Sequence, residues 1–163
     1  MANNLAAILR GKNVFVQGVG FIGKVGDIEL PEVSFKQADV NGQDIDTGLL
    51  DKLEGKITIF EFNEILFEAV EKRLNETATF VIKASVVNSG VETSIYVEIG
   101  AWVKKQGFEL KNAAENAGVT LELNVQTYRL EIDGKEIYNI DVPNNICKIN
   151  GSDKYDTLRK HIM

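Results

Sequence analysis

Three glycines form the most enzyme-like motif of the sequence, because their spacing matches the fingerprint that binds dinucleotides: Gly18, Gly20 and Gly23. In that fingerprint a helix begins at the glycines and its amides bind the pyrophosphate, and Asp39 lies at a suitable distance to hold a ribose. Here Gly26 and Pro31 follow soon after, and they disfavour a helix interior by about 1 and about 3 kcal/mol. We therefore predict a β-hairpin. A dinucleotide-binding oxidoreductase that uses the three glycines is kept as the alternative function.

The chain has one cysteine and one histidine, Cys147 and His161. A catalytic thiol needs a neighbouring base, and His161 lies two residues from the C-terminus, where chains tend to fray. We therefore predict no catalytic residue, and the sequence assigns no role to Cys147. A single cysteine also excludes an internal disulfide and is typical of proteins made in a reducing cytoplasm.

An acidic segment punctuated by glycines spans Asp39–Gly48 and includes Asp44 and Asp46. Carboxylates could bind calcium, but their spacing does not match the calcium loop of an EF-hand, and no closing glutamate follows at the required position. We predict an extended loop with a tight turn at Asn41-Gly42. Neither a metal nor a cofactor is expected.

Composition favours an acidic protein with one domain. The 163 residues are expected to form a single domain, residues 1–163, which at this size buries about 70% of its unfolded surface. The formal net charge of −6, without a cluster of Lys and Arg, disfavours a protein that grips nucleic-acid phosphates. The N-terminal residues lack a basic start, and their apolar run is too short for a signal peptide or a membrane span, so we expect a soluble intracellular product.

Two runs of alternating apolar residues, Ala78–Val86 and Thr93–Val103, predict a long β-hairpin with a turn at Asn88-Ser89-Gly90. One face of this hairpin is apolar and the other is polar. Long amphipathic strands with exposed edges favour pairing with a neighbouring subunit. The sequence leaves open whether Trp102, on the polar face, belongs to a core or to an interface.

The segment Leu121–Val142 predicts a second long hairpin, around which the chain is organised. Asp133-Gly134 tolerates the positive φ that both central positions of a tight turn require. The apolar residues change phase near Gln126-Thr127, which predicts a β-bulge or a crossing between two buried faces. The turn sets the register of three cross-strand pairs: Leu130 with Ile137, Arg129 with Tyr138, and Glu131 with Glu136.

Shorter patterns complete a mainly β fold. Residues 1–12 are expected to form a short helix or an arm, and the clearest helix spans Glu64–Leu74 with Asn63 as its N-cap. A short helix is predicted over Asp153–Lys160. The fold class is therefore a β-sandwich or barrel with one main flanking α-helix and a short C-terminal helix. Further strands are predicted over Asn13–Gln17, Glu32–Val40, Lys52–Phe62 and Ile146–Ile149.

The final hairpin also carries a family resemblance. Tyr128–Asp141 (YRLEIDGKEIYNID), followed by Ile149–Gly151, resembles the C-terminal signature of the major tail tube protein of contractile-tailed phages and R-type bacteriocins. Asn13–Gly18 (NVFVQG) is similar to the opening strand of that family, and Leu30–Pro31 with Val33–Lys36 is similar to its second strand. The resemblance covers nearly the whole chain, and the related tube of type VI secretion is a further alternative.

The resemblance implies a structural protein and not an enzyme. Members of the family form hexameric rings that stack into a hollow tube inside a contractile sheath, and neighbouring subunits add their long hairpins edge to edge. The implied partners are other copies of the chain, the sheath, tape measure, baseplate tube-initiator and tail terminator proteins, and passing DNA in a phage. The implied location is a virion tail or bacteriocin particle, assembled in the bacterial host cytoplasm, whose tube punctures a membrane on sheath contraction.

The resemblance also implies roles for particular residues. The hairpins Glu32–Phe62 and Ala78–Lys104 contribute to a barrel, and Asp39–Leu50 corresponds to an arm that reaches an adjacent subunit. We predict a neutral or negative channel, so that DNA phosphates slide along it. The arm residues are Asp39, Val40, Asn41, Gly42, Gln43, Asp44, Ile45 and Asp46. The residues expected to line the channel are Glu54, Lys83, Ser85, Glu98 and Lys104.

Overall fold

A computed structural model describes residues 6–16, 20–21, 25–61, 64, 71 and 77–163. The described chain is mainly β, as the sequence predicts. Its one C-terminal helix spans Asp156–Ile162. The strands are β1 (Ile8–Val16), β2 (Gly20–Phe21), β3 (Val25–Glu29), β4 (Phe35–Val40), β5 (Gln43–Leu50), β6 (Glu54–Ile59), β7 (Ala78–Asn88), β8 (Val91–Glu109), β9 (Gly118–Ile132), β10 (Lys135–Asp141), β11 (Ile146–Ile149) and β12 (Ser152–Asp153).

Strand β9 organises the larger of two sheets. The strand order in that sheet is β12-β11-β10-β9-β8-β7-β1-β2, and β6 pairs with both β9 and β3. Strand β8 occupies one edge of β9 along most of its length, while β6 and β10 share the opposite edge. The described strands of this sheet do not close into a barrel.

A β-bulge at Gln126 marks the point where β9 changes partner from β6 to β10. Gly100 lies opposite Thr127, whereas the next residue of β8, Ala101, lies opposite Val125. The phase change predicted at this position is therefore confirmed. The extra residue reverses which face each later side chain of β9 occupies, and so Leu121, Leu123, Val125 and Tyr128 all point into the core.

Three hairpin turns follow directly from residue pairs that tolerate positive φ. Each has two central residues with φ between 49° and 82°, the backbone of a type I′ turn, which matches the twist of the flanking strands. The predicted turns at Asn41-Gly42, Ser89-Gly90 and Asp133-Gly134 are thereby confirmed.

The core consists of the inward faces of β1, β6, β7, β8 and β9. Alternate residues of β7 and β8 are buried there, as the apolar pattern predicts, and Phe80 is the largest of the fully buried side chains. Burying one such side chain stabilises the fold by roughly 1.5–3 kcal/mol. No polar or charged residue of the described chain falls in the buried class.

Four local predictions differ from the structure. Residues 8–12 are part of strand β1, not a helix or an arm. Asp39–Gly48 is not an extended loop, because it lies within the β4–β5 hairpin. Glu32–Phe62 is not one long hairpin, since β4 and β5 pair only with each other while β6 pairs with β3 and β9. Strand β8 continues to Glu109, beyond the predicted end of the alternating run.

The register of the final hairpin also differs from its prediction. Glu131 lies opposite Glu136 as expected, but Tyr138 then lies opposite Leu130 because Ile137 is an extra residue in a bulge. The carbonyl of Ile137 accepts a hydrogen bond from the amide of Asn150 at 2.6 Å, which satisfies a group that the bulge removes from the ladder.

The predicted main helix, Glu64–Leu74, lies outside the described residues except at Glu64 and Glu71, which are both exposed and have helical backbone. The predicted C-terminal helix is confirmed, although its first residues form β12. None of the helices in the described part of the chain has the length and apolarity to span a membrane.

Candidate functional site: the arm, the polar face and the open edges

The β4–β5 hairpin forms a sheet of its own, and we call it the arm (Phe35–Leu50). All eight residues predicted for an inter-subunit arm lie together in its distal part. Val40 and Ile45 in the distal part, and Leu49 near the other end of the arm, are each about half exposed, so a single subunit leaves apolar surface on a thin hairpin. Exposed apolar surface of this kind is typical of segments that pack against a partner.

The aspartates of the arm stabilise its backbone. The carboxylate of Asp39 accepts a hydrogen bond from the Gly42 amide at 3.0 Å and closes the turn at the tip. The carboxylate of Asp46 accepts a hydrogen bond from the Gly48 amide at 2.8 Å. These contacts explain the spacing of the aspartates without a metal, and among the described residues no cluster of His, Cys, Asp and Glu could hold one.

A second irregularity separates the tip of the arm from its root. Phe35 pairs with Leu50, but Gln37 pairs with Asp46, so β5 carries extra residues between these pairs. Gly48 has a φ of +70° within this bulge. The Thr47 hydroxyl donates a hydrogen bond to the carbonyl of Lys36 at 2.8 Å. The bulge therefore bends the arm at a defined position.

The root of the arm, where its first residue Phe35 pairs with its last residue Leu50, is held by hydrogen bonds to neighbouring segments. The Asp51 amide donates to the Ser34 carbonyl at 2.9 Å, which joins the two chain segments that enter and leave the arm. The Leu50 amide donates to the hydroxyl of Tyr155 at 2.7 Å. Leu53, just beyond the arm, accepts a hydrogen bond from the amide of Val125 at 3.0 Å.

Tyr155 is itself fixed by a polar network in the C-terminal segment. The carboxylate of Asp153 accepts a hydrogen bond from the Tyr155 amide at 3.1 Å and forms an ion pair with Arg159. Arg159 also donates a hydrogen bond to the carbonyl of Asn145 at 2.9 Å. The hydrogen bond from Arg159 lowers the pKa of the Asp153 carboxyl, so Asp153 is ionised at neutral pH.

Three of the five residues predicted to line a channel share one face of the β7–β8 hairpin: Lys83, Ser85 and Glu98. The ammonium of Lys83 lies 5.6 Å from the ring centroid of Phe15, a cation–π contact. The carboxylate of Glu98 accepts a hydrogen bond from the Tyr96 hydroxyl at 3.2 Å. Lys83, Phe15, Tyr96 and Glu98 line a common cavity of about 290 Å³.

The other two predicted residues, Glu54 and Lys104, form an ion pair with an N–O distance of 2.6 Å. Lys104 is the extra residue of a bulge in β8, and Glu54 begins β6, so this pair bridges two strands that do not neighbour each other. The hydrogen bond lowers the pKa of Glu54 and raises the pKa of Lys104. The pair lies in a polar groove of about 550 Å³ at the base of the arm.

Sequence reasoning missed a charged cluster around Arg129. Its guanidinium pairs with Glu131 at 2.5 Å and with Glu136 at 3.2 Å, and the charge of Glu131 raises the pKa of Arg129. Arg129 is also the cross-strand neighbour of Glu98. The alternation of Arg129 and Glu131 in the final hairpin could have indicated this cluster, because residues two apart share a face of a strand.

Two strands of the larger sheet leave long edges without a partner among the described strands. Strand β1 pairs with β7 on one side, and β2 covers only Phe15 and Val16 on the other. Strand β8 pairs with β7 only as far as Ala101, so among the described strands its remaining residues pair with β9 alone. Unpaired N–H and C=O groups along such edges are templates for pairing with another chain.

Comparison with known proteins decides what this combination of an arm, a polar face and open edges represents. The family model of phage tail tube protein FII matches residues 6–162 of the chain. The chain belongs to the phage tail tube protein FII family. It is a structural protein of a contractile tail tube and part of the phage tail or particle, not an enzyme.

The chain is also similar to individual proteins, one by sequence and two by structure. The tail tube protein of Escherichia phage P2 is 23% identical over 165 residues, which cover 94% of this chain and 95% of the relative. Among solved structures, a chain of the sheath–tube complex of an extracellular contractile injection system in its extended state has a TM-score of 0.56 at 14% identity. That match covers 80% of this tail tube protein and 94% of the other chain, and shows a shared fold. A crystal structure of Hcp protein matches with a TM-score of 0.49 at 11% identity, over 78% of this chain and 92% of that one.

The remaining enzyme-like motifs have no support in this tail tube protein. Gly18 and Gly23 lie outside the described residues, and Gly20 begins β2, which pairs antiparallel with β1 at Val16. A strand that turns back in this way agrees with the predicted hairpin and not with the strand-to-helix turn that a dinucleotide requires. Cys147 is fully buried, and burial raises the pKa of its thiol, which is the opposite of what a nucleophile needs.

Proposed function

We propose that this tail tube protein assembles into hexameric rings, and that the rings stack into the inner tube of a contractile phage tail or R-type bacteriocin. Copies of the chain are then its first partner. The family match supports a tail tube role, and the edges of β1 and β8 that no other described strand covers are the observation that supports ring formation. Ring closure gives each edge a partner and removes an aggregation hazard.

The arm supplies a second contact between copies in this proposal. Its tip, Asp39–Asp46, reaches an adjacent subunit and buries Val40 and Ile45 there. Support comes from the separation of the arm from the larger sheet and from the exposure of these apolar side chains. A rigid bulge and a fixed root favour this role, because a pre-organised segment loses less conformational entropy on binding.

The side chains of the polar face, by which we mean Glu54, Lys83, Ser85, Glu98 and Lys104, line the channel in this proposal. Glu54 and Lys104 neutralise each other, Glu131 and Glu136 together outweigh the charge of Arg129, and the chain carries a formal net charge of −6. The remaining cation of the lining, Lys83, lies over the Phe15 ring. One such lysine does not retain DNA phosphates, since retention needs clustered Lys and Arg. DNA and the tape measure protein therefore pass along the bore without specific contacts.

The outer surface of the tube meets a sheath protein, and the tube ends meet the baseplate tube-initiator and tail terminator proteins. Support for the sheath comes from the structural neighbour, which belongs to a sheath–tube complex. The particle assembles in the bacterial host cytoplasm, and sheath contraction drives the tube through a membrane.

Negative-stain microscopy of the purified protein tests ring and tube formation directly. We expect rings with six subunits, measured by class averaging and by particle mass, and tubes at higher concentration. Leu9→Lys, on the open edge of β1, should abolish tubes without unfolding the subunit, because an edge lysine opposes strand addition. Ile162→Lys, at a similarly exposed position of the C-terminal helix, is the matched control and should leave tubes intact. Monomers alone at every concentration would contradict the proposal.

A further inference from the structure

The hydroxyl of Tyr155 is the point at which the C-terminal segment contacts the arm. It accepts a hydrogen bond from the amide of Leu50 at 2.7 Å, although the two residues are 105 positions apart. The side chain of Tyr155 is only 7% exposed, so water competes weakly for this bond. Leu50 is the last residue of the arm and pairs with Phe35, the first, so the bond acts on the arm where both of its strands begin.

No other hydrogen bond between described residues joins the arm to the rest of the protein. The bond between Ser34 and Asp51 links the entering and leaving segments to each other, and the bond between Leu53 and Val125 lies beyond the arm. The contacts of Thr47 and Asp46 are internal to the arm. The direction of the arm relative to the larger sheet therefore depends on Tyr155 and on the packing of Phe35 and Leu50 against the core.

The position of Tyr155 is determined in turn by the C-terminal network. Asp153 holds the Tyr155 amide and pairs with Arg159, and β12 places Asp153 opposite Lys148 of strand β11. Strand β11 belongs to the larger sheet through β10. A continuous series of hydrogen bonds thus connects the sheet to the root of the arm.

We infer that Tyr155 is a positioning residue for tube assembly: the C-terminal segment, Ser152–Ile162, holds the root of the arm in the direction from which its tip meets the next copy of the chain. This inference rests on the proposed function of the arm. The bulge at Thr47–Leu49 transmits the direction of the root to the tip, because its own hydrogen bonds fix the bend. The C-terminal segment therefore controls an inter-subunit contact through the root of the arm.

Tyr155→Phe removes the acceptor oxygen while keeping the ring that fills the site. Amide hydrogen exchange on dilute, unassembled subunit should accelerate at Leu50 and along the arm by roughly two- to tenfold, the factor that corresponds to one hydrogen bond. Exchange of core amides in β7 and β8 should not change. Tube elongation, followed by light scattering, should slow. Tyr138→Phe is the matched control, because Tyr138 stacks on Tyr128 at 5.6 Å in the larger sheet, away from the arm.

Arg159→Gln is a second variant. It replaces Tyr155→Phe as the test if Tyr155→Phe also accelerates amide exchange in the core. It removes the ion pair to Asp153 but leaves the phenol, so the same arm-limited acceleration is expected. Unchanged exchange at Leu50 in both variants would overturn the inference. Faster arm exchange with a normal rate of elongation would overturn the role in assembly. Failure of the wild-type protein to form tubes would instead refute the proposed function, and the exchange result would stand independently of it.

Discussion

Lys104 donates a hydrogen bond to the carboxylate of Glu54 at 2.6 Å and joins the bulge of β8 to the beginning of β6. Strand β9 lies between these two strands, so the ion pair connects β8 to β6 across β9. Both side chains are largely solvent-exposed, which means that salt screens the pair and that its main effect is on local charge.

Removing the Lys104 ammonium should change the pKa of Glu54. In Lys104→Met the pKa of Glu54 should rise towards its ordinary value, because the hydrogen bond from Lys104 is the largest cause of its depression. A depressed carboxylate pKa stabilises the fold above the unfolded-state pKa, and that contribution is lost as the pH falls through the folded-state pKa. NMR titration of the Glu54 side chain measures the shift. An unchanged pKa would show that the two groups are not paired in solution.

Reversing charges on the polar face should slow DNA if that face lines the channel. Particles carrying Glu54→Lys and Glu98→Lys should eject DNA more slowly at low salt and recover at high salt, because lysines bind phosphates through counterion release. Glu98→Lys alone leaves the ion pair of Glu54 intact and should show a smaller effect. Glu115→Lys, in the loop between β8 and β9, is the charge control. A normal rate of ejection at all salt concentrations would refute the predicted channel.

Gly100→Ala should destabilise the subunit at the β9 bulge. A Cβ at this position would overlap the Thr127 hydroxyl, which accepts a hydrogen bond from the Gly100 amide at 3.0 Å. Overpacking of this kind costs about 1–3 kcal/mol of unfolding free energy, measurable by urea denaturation. The same substitution in a Thr127→Ala background should cost less, since the overlapping oxygen is gone. Equal costs in the two backgrounds would contradict the assigned clash.

Gly134→Ala tests the turn of the final hairpin. Gly134 has a φ of +78°, and an alanine there costs about 1–2 kcal/mol because its Cβ crowds the following carbonyl. Gly107→Ala is the control, because Gly107 has no positive φ and open space where the Cβ would lie. The difference in unfolding free energy between the two variants isolates the backbone effect. Similar losses of unfolding free energy in the two variants would contradict a backbone requirement for glycine at position 134.

Local chemistry made the three tight turns and the bulge at Gln126 predictable. Each turn depends on a residue pair that accepts positive φ, and the bulge at Gln126 reverses an otherwise regular apolar pattern. The bulge at Ile137 was not predictable in the same way. Ile137 and Tyr138 are both apolar enough to face inward, so the pattern does not show which of them is the extra residue.

Non-local contacts account for most of what the sequence did not reveal. Asp39–Gly48 was predicted as a loop because β5 is exposed along nearly its whole length and therefore shows no apolar alternation. Its residues nevertheless stood out through the family resemblance. The hydrogen bond between Leu50 and Tyr155 depends on which distant segments become neighbours, and no spacing along the chain encodes that.

The burial of Cys147, the only cysteine of the chain, has a practical consequence. Cys147 has no accessible surface, and desolvation keeps it protonated. Maleimide dyes should therefore not label the native subunit. A cysteine engineered at the tip of the arm could then be labelled with a fluorophore without first replacing Cys147.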